Sequence, residues 1–154
     1  MDAPTLTEDK TDAGPGGLGD LEDILGLRIR LAHGAVYRHF AETFADLGLT
    51  QKQVSALWLV NDNPGISQID LGGRLRMDRA TTMTIVNRLQ ARDYMRRERS
   101  ESDGRKQALY LTPQGEAALA EAKRCIGEHE AWLKSRFTAD EIEKLVEMLA
   151  RIHE

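Results

Sequence analysis

The chain of 154 residues has one cysteine, four prolines, 5% aromatic residues and no long apolar run. Because a lone thiol cannot form an internal disulfide, this count excludes a small secreted scaffold held by disulfide bonds. A membrane-spanning helix needs roughly 20 consecutive apolar residues, so no membrane partner is expected. The first ten residues lack the basic and then apolar pattern of a secretory signal. These absences predict a soluble protein of the cytoplasm.

Sequence motifs of catalysis are also missing. The chain has no phosphate-binding loop, no nucleophile motif and no paired carboxylates in a defined setting. The histidines lack the short spacing of zinc ligands; they are His33, His39, His129 and His153. Cys125 lies beside apolar residues of a predicted helix, which favours buried packing over redox sensing. We therefore expect no enzyme activity, no metal and no cofactor.

Positive charge is concentrated in the middle of the chain, although the formal net charge is -4. Residues 64–112 contain ten basic and six acidic side chains, whereas the remainder contains eleven basic and nineteen acidic ones. Nine of the ten middle cations are arginine, whose planar guanidinium suits phosphate groups and guanine edges. This distribution favours a nucleic-acid partner, and a solvated charged surface is the alternative.

The first part of the chain predicts a tail and two helices. Residues 1–19 are rich in glycine and proline and predict a disordered tail. In residues 20–47, apolar side chains recur at three- and four-residue steps, which predicts a long amphipathic helix. Thr50 and Gln53 form a capping box, so a second helix begins there and ends before the breaker at residues 63–65.

Two short helices follow, separated by only a few residues. Ser67 is the predicted cap of a third helix that ends near Arg76, and Asp78 is the predicted cap of a fourth that ends near Arg92. Such a pair is typical of a helix-turn-helix. The predicted inward positions of the fourth helix are Ala80, Met83, Val86 and Leu89.

The last part of the chain predicts a hairpin and two further helices. Residues 95–99 and 107–111 alternate around a polar turn and predict two antiparallel strands. Thr112 and the proline after it begin a fifth helix that reaches about Lys134. A second capping box, at Thr138 and Glu141, begins a last helix. Its apolar stripe consists of Ile142, Leu145, Val146, Leu149 and Ile152.

The predicted hairpin also contains a family signature. Asp103-Gly104-Arg105, followed by Leu109-Tyr110-Leu111-Thr112-Pro113-Gln114-Gly115, resembles the wing signature of the MarR family of bacterial transcriptional regulators. Residues 82–97 resemble the recognition helix of that family and its first wing strand. The resemblance implies one domain over residues 20–154, in which residues 20–48 and 113–154 form dimerisation helices and residues 49–112 form the DNA-binding lobe. The expected fold is mainly α, a winged helix-turn-helix with a two-stranded β wing and a helical dimerisation region.

Two places depart from the family pattern. Asp93 stands where the family has glycine, at a turn that favours left-handed backbone. Gly72 and Gly73 replace common alanines in the third helix, at a helix-propensity cost of about 1 kcal/mol each. We expect the two glycines to allow close packing against the recognition helix, and a merely weakened helix is the alternative.

The predicted DNA-binding residues lie on the third and fourth helices and on the wing. The resemblance implies that Arg105 enters the minor groove and that Asp103 braces a basic neighbour, although Asp103 also fits a simple turn cap. Polar residues of the fourth helix are able to face the major groove. Free amides at a helix N-terminus favour Ser67 and Gln68 as phosphate contacts. The full set is Ser67, Gln68, Arg79, Thr81, Thr82, Thr84, Arg88, Arg99, Asp103, Arg105 and Lys106.

A second predicted site concerns a small effector. The resemblance implies that anionic aromatic ligands bind between the dimerisation helices and the DNA-binding lobe. Arginines among aromatic residues at helical spacing suggest an aromatic acid or its coenzyme A thioester, and an ordinary core is the alternative. The candidate residues are Arg30, His33, Tyr37, Arg38, His39, Phe40, Phe44 and Trp58.

These observations together predict a DNA-binding transcriptional regulator. We expect a homodimer that represses transcription from a pseudo-palindromic operator in double-stranded DNA and is released by the effector. The alternative is a winged-helix module that binds another protein and no effector. The two differ in salt dependence, because phosphate contacts release counterions and a protein interface does not.

Overall fold

The computed structural model describes residues 17–102 and 104–154. Its contacts divide the chain into two units, of which the first ends at Val36 and the second runs from Tyr37 to Glu154. The predicted disordered tail falls almost entirely outside the described residues, and so does Asp103. Within the described part, no helix combines the length and apolar character needed to cross a membrane.

The first unit contains a short 3-10 helix, Gly19–Asp23, and the beginning of helix α1, Leu25–Thr43. The single long helix predicted from Asp20 is therefore wrong at its start. The 3-10 helix and α1 are separate elements, and a hydrogen bond joins them: the Arg28 Nε donates to the Glu22 carbonyl oxygen at 2.9 Å. The apolar side chains of this unit are largely exposed; they include Leu21, Ile24, Leu25, Ile29 and Leu31.

The second unit contains the remaining helices and a small sheet. After α1, a 3-10 helix spans Ala45–Leu47 and ends at Gly48, whose φ of 59° is left-handed. Five helices follow, namely α2 (Gln51–Asp62), α3 (Gln68–Arg74), α4 (Arg79–Ala91), α5 (Pro113–Lys134) and α6 (Ala139–His153). The strands are β1 (Ile66–Ser67), β2 (Met95–Arg99) and β3 (Gln107–Leu111). The predicted winged helix-turn-helix is confirmed.

Side-chain caps begin these helices at the predicted residues. The Thr50 hydroxyl accepts from the Gln53 amide, while the Gln53 side chain accepts from the Thr50 amide, as a capping box requires. Thr138 and Glu141 repeat this arrangement at α6. At α4, the Thr81 amide donates to the Asp78 carboxylate at 2.7 Å and lowers the pKa of that carboxyl.

The sheet has three antiparallel strands in the order β1-β3-β2, so the two predicted wing strands, β2 and β3, are joined by a third that was not predicted. The additional strand has only two residues, Ile66 and Ser67, opposite Leu109 and Ala108. So short a strand shows no alternation of its own and forms only through pairing with a distant segment. It attaches the wing to the start of α3.

The core lies between α2, α4, α5 and the sheet. Its fully buried side chains include Leu57, Leu71, Val86, Leu89 and Leu109. The inner face of α4 consists of Thr82, Ile85, Val86 and Leu89, whereas the predicted inward Ala80 and Met83 are exposed. That prediction followed a strict three-residue step, and the helical repeat of 3.6 residues moves such a line off the core.

The first turn of α5 packs directly against the start of the wing. A Cβ on Gly115 would lie 1.9 Å from the Tyr94 carbonyl oxygen, so only glycine fits without moving the backbone. The Thr112 amide also donates to that carbonyl, at 3.2 Å. The glycine in the wing signature is therefore required by close packing between α5 and β2.

We expect Gly115→Ala to lower the free energy of unfolding by about 3 kcal/mol, because the added methyl group overlaps backbone atoms. Gly127→Ala in the same helix is the matched control, since no described neighbour lies within 4 Å of its Cβ. The control should gain about 1 kcal/mol from helix propensity. Chemical denaturation measures both values, and equal stabilities of the two variants would contradict the close packing.

Candidate nucleic-acid interface

Helix α4 has one buried face and one polar, exposed face. The exposed positions follow helical spacing through Ala80, Thr84, Asn87 and Ala91, with Arg88 beside them. Thr84 and Arg88 therefore lie on the exposed face of α4, as predicted. Arg79 is exposed at the first turn, and Thr81 is half-buried.

Thr82 is not on this surface, which corrects its predicted role in the major groove. The side chain is 2% exposed, and its hydroxyl donates to the Asp78 carbonyl oxygen at 2.8 Å. A Cβ on Gly72 would lie 2.6 Å from the Thr82 Oγ1, so Gly72 permits the predicted close contact of α3 with α4. The same expectation is wrong for Gly73, because no described heavy atom lies within 4 Å of a Cβ there.

The turn between α4 and the wing has the left-handed conformation expected from the family glycine. Asp93 has a φ of 62°, which aspartate tolerates better than most residues. Its carbonyl oxygen accepts from the Thr112 hydroxyl, and the Tyr94 amide donates to the Leu89 carbonyl at 2.9 Å. The wing therefore leaves the recognition helix in a direction set by several backbone contacts.

Basic side chains surround a cleft between α3, α4 and the wing. The cleft has a volume of about 400 Å³, and its cationic lining residues are Arg79, Arg105 and Lys106. All three are exposed, as is Arg99 at the end of β2. The arrangement provides positive charge beside the exposed face of α4. The predicted role of Asp103 lies outside the described residues.

Ser67 and Gln68 make contacts within the protein, and their predicted role as phosphate contacts stays a prediction. Ser67 is buried, and its hydroxyl accepts from the Asp70 amide at 3.0 Å. The Gln68 Oε1 accepts two hydrogen bonds from Arg97, at 3.2 and 3.1 Å. The Ser67 hydroxyl therefore takes up one backbone amide at the start of α3, and the Gln68 oxygen supports the wing.

Arg97 on β2 is a central residue that the sequence prediction missed. Besides Gln68, its guanidinium donates to the Asn87 Oδ1 at 2.7 Å and to the Gln90 Oε1 at 2.9 Å. It therefore joins the wing to α3 and to the exposed side of α4. The prediction missed it because its partners are up to 29 residues away in the sequence.

The predicted effector residues of the second unit differ in their burial and in their contacts. Phe40 and Phe44 are buried and stack on each other with centroids 4.0 Å apart, so they are core residues and their assignment to a ligand is corrected. Tyr37 and Arg38 are exposed near the end of α1. Trp58 is half-buried, and the Lys123 Nζ lies 4.6 Å from its ring centroid. Arg30 and His33 belong to the first unit and are exposed.

His39 instead forms a pair with His129. Their Nδ1 atoms are 2.8 Å apart, and the His39 ring stacks on Trp132 with a centroid distance of 3.9 Å. At this distance one Nδ1 must carry a proton and the other must accept it, so two imidazolium rings would repel. Burial lowers the pKa of His129, and the positive charge that His39 can take adds to this effect. Sequence spacing missed the pair because it joins α1 to α5.

Cys125 is buried on α5, which confirms the predicted packing role. Burial raises the pKa of its thiol, so the reactive thiolate is disfavoured. No group of three or more histidine, cysteine or acidic side chains suited to a metal ion occurs among the residues that the structure describes.

Known proteins share both sequence and fold with this chain. A family model described as MarR family matches residues 47–106. A putative transcriptional regulatory protein for the hcr operon of Thauera aromatica is 29% identical over 136 residues, covering 88% of this chain and 82% of that protein. The structure of the transcriptional repressor CouR, bound to a 23-mer DNA duplex, is 33% identical with a TM-score of 0.84, covering 90% of this chain and 98% of that one. A probable transcriptional regulator from Pseudomonas aeruginosa is 30% identical with a TM-score of 0.80, covering 86% and 98%.

The fold and the site define a winged helix-turn-helix regulator of transcription that binds DNA. The chain belongs to the MarR family, as its wing signature suggested. The part of this chain that matches the family model, residues 47–106, contains α2, β1, α3, α4, β2 and the turn of the wing. The expectation of a regulator without enzymatic activity agrees with the character of this family.

The contact between His39 and the buried His129 predicts a pH-dependent stability. Because the folded state lowers the pKa of His129 below its usual 6.5, the unfolded chain binds more protons below that pH. Stability is therefore present above pH 6.5 and should fall as the pH drops through it. Thermal unfolding between about pH 7.5 and about pH 5.5 measures this loss.

His129→Asn should make the pH dependence shallower, because it removes the group that gains the proton on unfolding. His153→Asn is the control, since His153 is exposed at the end of α6. An unchanged pH profile in His129→Asn would contradict the assigned linkage.

Proposed function

We propose that the chain is a repressor that binds a pseudo-palindromic operator as a homodimer and leaves it when a small anionic aromatic effector binds. The observation that supports this most is the position of the basic cleft, lined by Arg79, Arg105 and Lys106, beside the polar face of α4. An exposed helix face suits the major groove, and adjacent cations suit phosphates. Repression is further supported by the similar repressor CouR, which was solved on a 23-mer duplex.

Different residues take different tasks in this proposal. Arg79, Thr81, Thr84 and Arg88 face the major groove from α4, where arginine can bind guanine and a threonine methyl can contact thymine. Arg105 at the wing tip enters the neighbouring minor groove, whose negative potential attracts arginine. Arg99 and Lys106 bind phosphates and so contribute affinity without base preference.

The exposed apolar face of α6 supports the homodimer. Val146 and Ile152 are 62% and 65% exposed in the single chain, and Leu149 lies on the same stripe. Exposed apolar side chains in such a row indicate an interface. A two-fold dimer places two recognition helices about one helical turn of DNA apart, at roughly 34–36 Å.

Trp58 and Lys123 form the proposed effector site in the second unit. Trp58 and Lys123 offer an aromatic surface and an ammonium group at one place, which suits the ring and the carboxylate of an aromatic acid or its coenzyme A thioester. At the end of α4, the Arg92 guanidinium donates to the Leu47 and Gly48 carbonyl oxygens, which lie between α1 and α2. The predicted Arg30 and His33 remain candidates from sequence alone.

Arg105→Ala should weaken operator binding by about 1 to 3 kcal/mol, because the variant brings one positive charge fewer to the DNA. For the same reason, the slope of log affinity against log salt concentration should fall by about one unit. Arg88→Ala should reduce the difference in affinity between operator and random DNA, since a base contact is lost. Fluorescence anisotropy over a range of salt concentrations measures both quantities.

Two outcomes would contradict this division of tasks. If both variants weakened all sequences equally, the assignment of Arg88 to base recognition would fail. If DNA binding were absent or independent of salt in the unaltered protein, a protein-binding module would be the better interpretation.

Sedimentation at micromolar concentration should show a dimer of the 17.2 kDa chain. Val146→Asp should shift it towards the monomer, because the substitution introduces a charge into an apolar interface. Glu147→Asp, at the next position, is the control and should leave the mass unchanged. A monomeric unaltered protein would exclude the two-fold operator.

Trp58→Ala and Lys123→Ala should each reduce the release of DNA by aromatic acids and their coenzyme A thioesters. A coupling of about 1 to 3 kcal/mol between effector and DNA is expected in the unaltered protein. Lys134→Ala is the control, because it removes the same charge from α5 at a residue paired with Glu130. Unchanged release in both variants, with the dimer intact, would contradict this effector site.

A further inference from the structure

We propose that Asn87 determines base preference on the recognition helix and that Arg97 is the positioning residue that orients its amide. The proposal rests on the DNA-binding function proposed above and identifies one residue that recognises a base. It assigns to Asn87 a donor role towards the major groove and to Arg97 a role that acts through Asn87.

The orientation of the Asn87 amide follows from hydrogen-bond chemistry. A guanidinium has N–H donors and no acceptor, so only the amide oxygen can face it. The Arg97 Nη2 lies 2.7 Å from the Asn87 Oδ1. The amide NH2 group is then directed away from Arg97 and offers two donors.

The position of Asn87 places that NH2 group on the DNA-facing side of α4. Asn87 is exposed, three residues after Thr84 and on the side of the helix opposite Ile85 and Leu89. Guanine presents two acceptors in the major groove, N7 and O6, whereas adenine presents one acceptor and the N6 donor. With its oxygen turned to Arg97, Asn87 favours guanine over adenine.

Arg97 is well suited to keep this orientation. It is half-buried, and its four hydrogen bonds go to amide oxygens of Gln68, Asn87 and Gln90, on two helices. Three acceptors from α3 and α4 fix the plane of the guanidinium. A lysine ammonium lacks this planar fork and would hold fewer of the acceptors.

The test compares base preferences of variants on DNA duplexes that the unaltered dimer enriches from a randomised pool. Sequencing of the bound fraction should show one position in each half-site where guanine is preferred over adenine by about tenfold. Asn87→Ala should reduce that preference to below about twofold while the other positions keep theirs. Asn87→Asp, which keeps an acceptor for Arg97 and replaces the donors by an acceptor, should shift the preference towards adenine or cytosine.

Arg97→Met tests the positioning role. It should lose the same guanine preference, and the double variant with Asn87→Ala should lose no more than Asn87→Ala alone. Arg96→Met is the matched control, because Arg96 lies on the same strand but contacts Glu98 and the Tyr110 ring. It removes an equal charge and should leave the guanine preference in place. Arg97→Lys should restore part of the preference.

Two results would overturn the inference, and a third would overturn the function on which it rests. Unchanged base preferences in both Asn87 variants would show that Asn87 does not contact a base. A folded Arg97→Met variant with the guanine preference intact would show that Arg97 does not position it. Should Arg97→Met fail to fold, the two Asn87 variants decide the matter. Enrichment of no sequence by the unaltered dimer would instead contradict the proposed function, on which the inference rests.

Discussion

The close approach of helix α5 to the backbone between α4 and the wing is the constraint on which the DNA-binding lobe depends. At Gly115, α5 lies so close to the Tyr94 carbonyl oxygen that no side chain fits between them. Thr112 donates hydrogen bonds to the carbonyl oxygens of both Asp93 and Tyr94. Asp93 adopts a left-handed φ within these contacts. The end of the recognition helix, the start of the wing and the start of α5 are therefore joined at one place.

The two ends of the wing are supported in different ways. At its base, backbone contacts and close packing act over a few residues. Further along β2, Arg97 connects the strand to α3 and α4 through neutral amide oxygens. On the opposite flank of α4, Arg92 bonds to the segment that follows α1 and lies 4.8 Å from the Tyr94 ring centroid. These contacts thus join α4 and the wing to each other and to the rest of the lobe.

Local signals explain what could be predicted from the sequence. Caps such as Thr50 and Asp78 act on a backbone amide three residues away, so their patterns are visible in a short window. The wing strands were predicted for the same reason, because alternation and a polar turn are local. The left-handed turn at Asp93 followed from the family glycine and from the tolerance of aspartate for that conformation.

Contacts between distant segments could not be predicted in this way. Strand β1 forms only by pairing with β3, and the His39–His129 contact joins residues 90 positions apart. The burial of Thr82 depends on Gly72 from another helix. Thr82 looks available for DNA in the sequence, and only packing shows that it is buried.

We expect α4 and the wing to contact DNA together, in two half-sites related by a two-fold axis. Hydroxyl-radical footprinting of the dimer on an enriched duplex, which reports the sugars, together with methylation protection of guanine N7, which reports the major groove, tests this expectation. Two symmetric sets of protected sugars are expected about one helical turn apart, each in the minor groove beside a guanine that is protected in the major groove. A single asymmetric protected stretch, or major-groove protection without the adjoining minor groove, would contradict it.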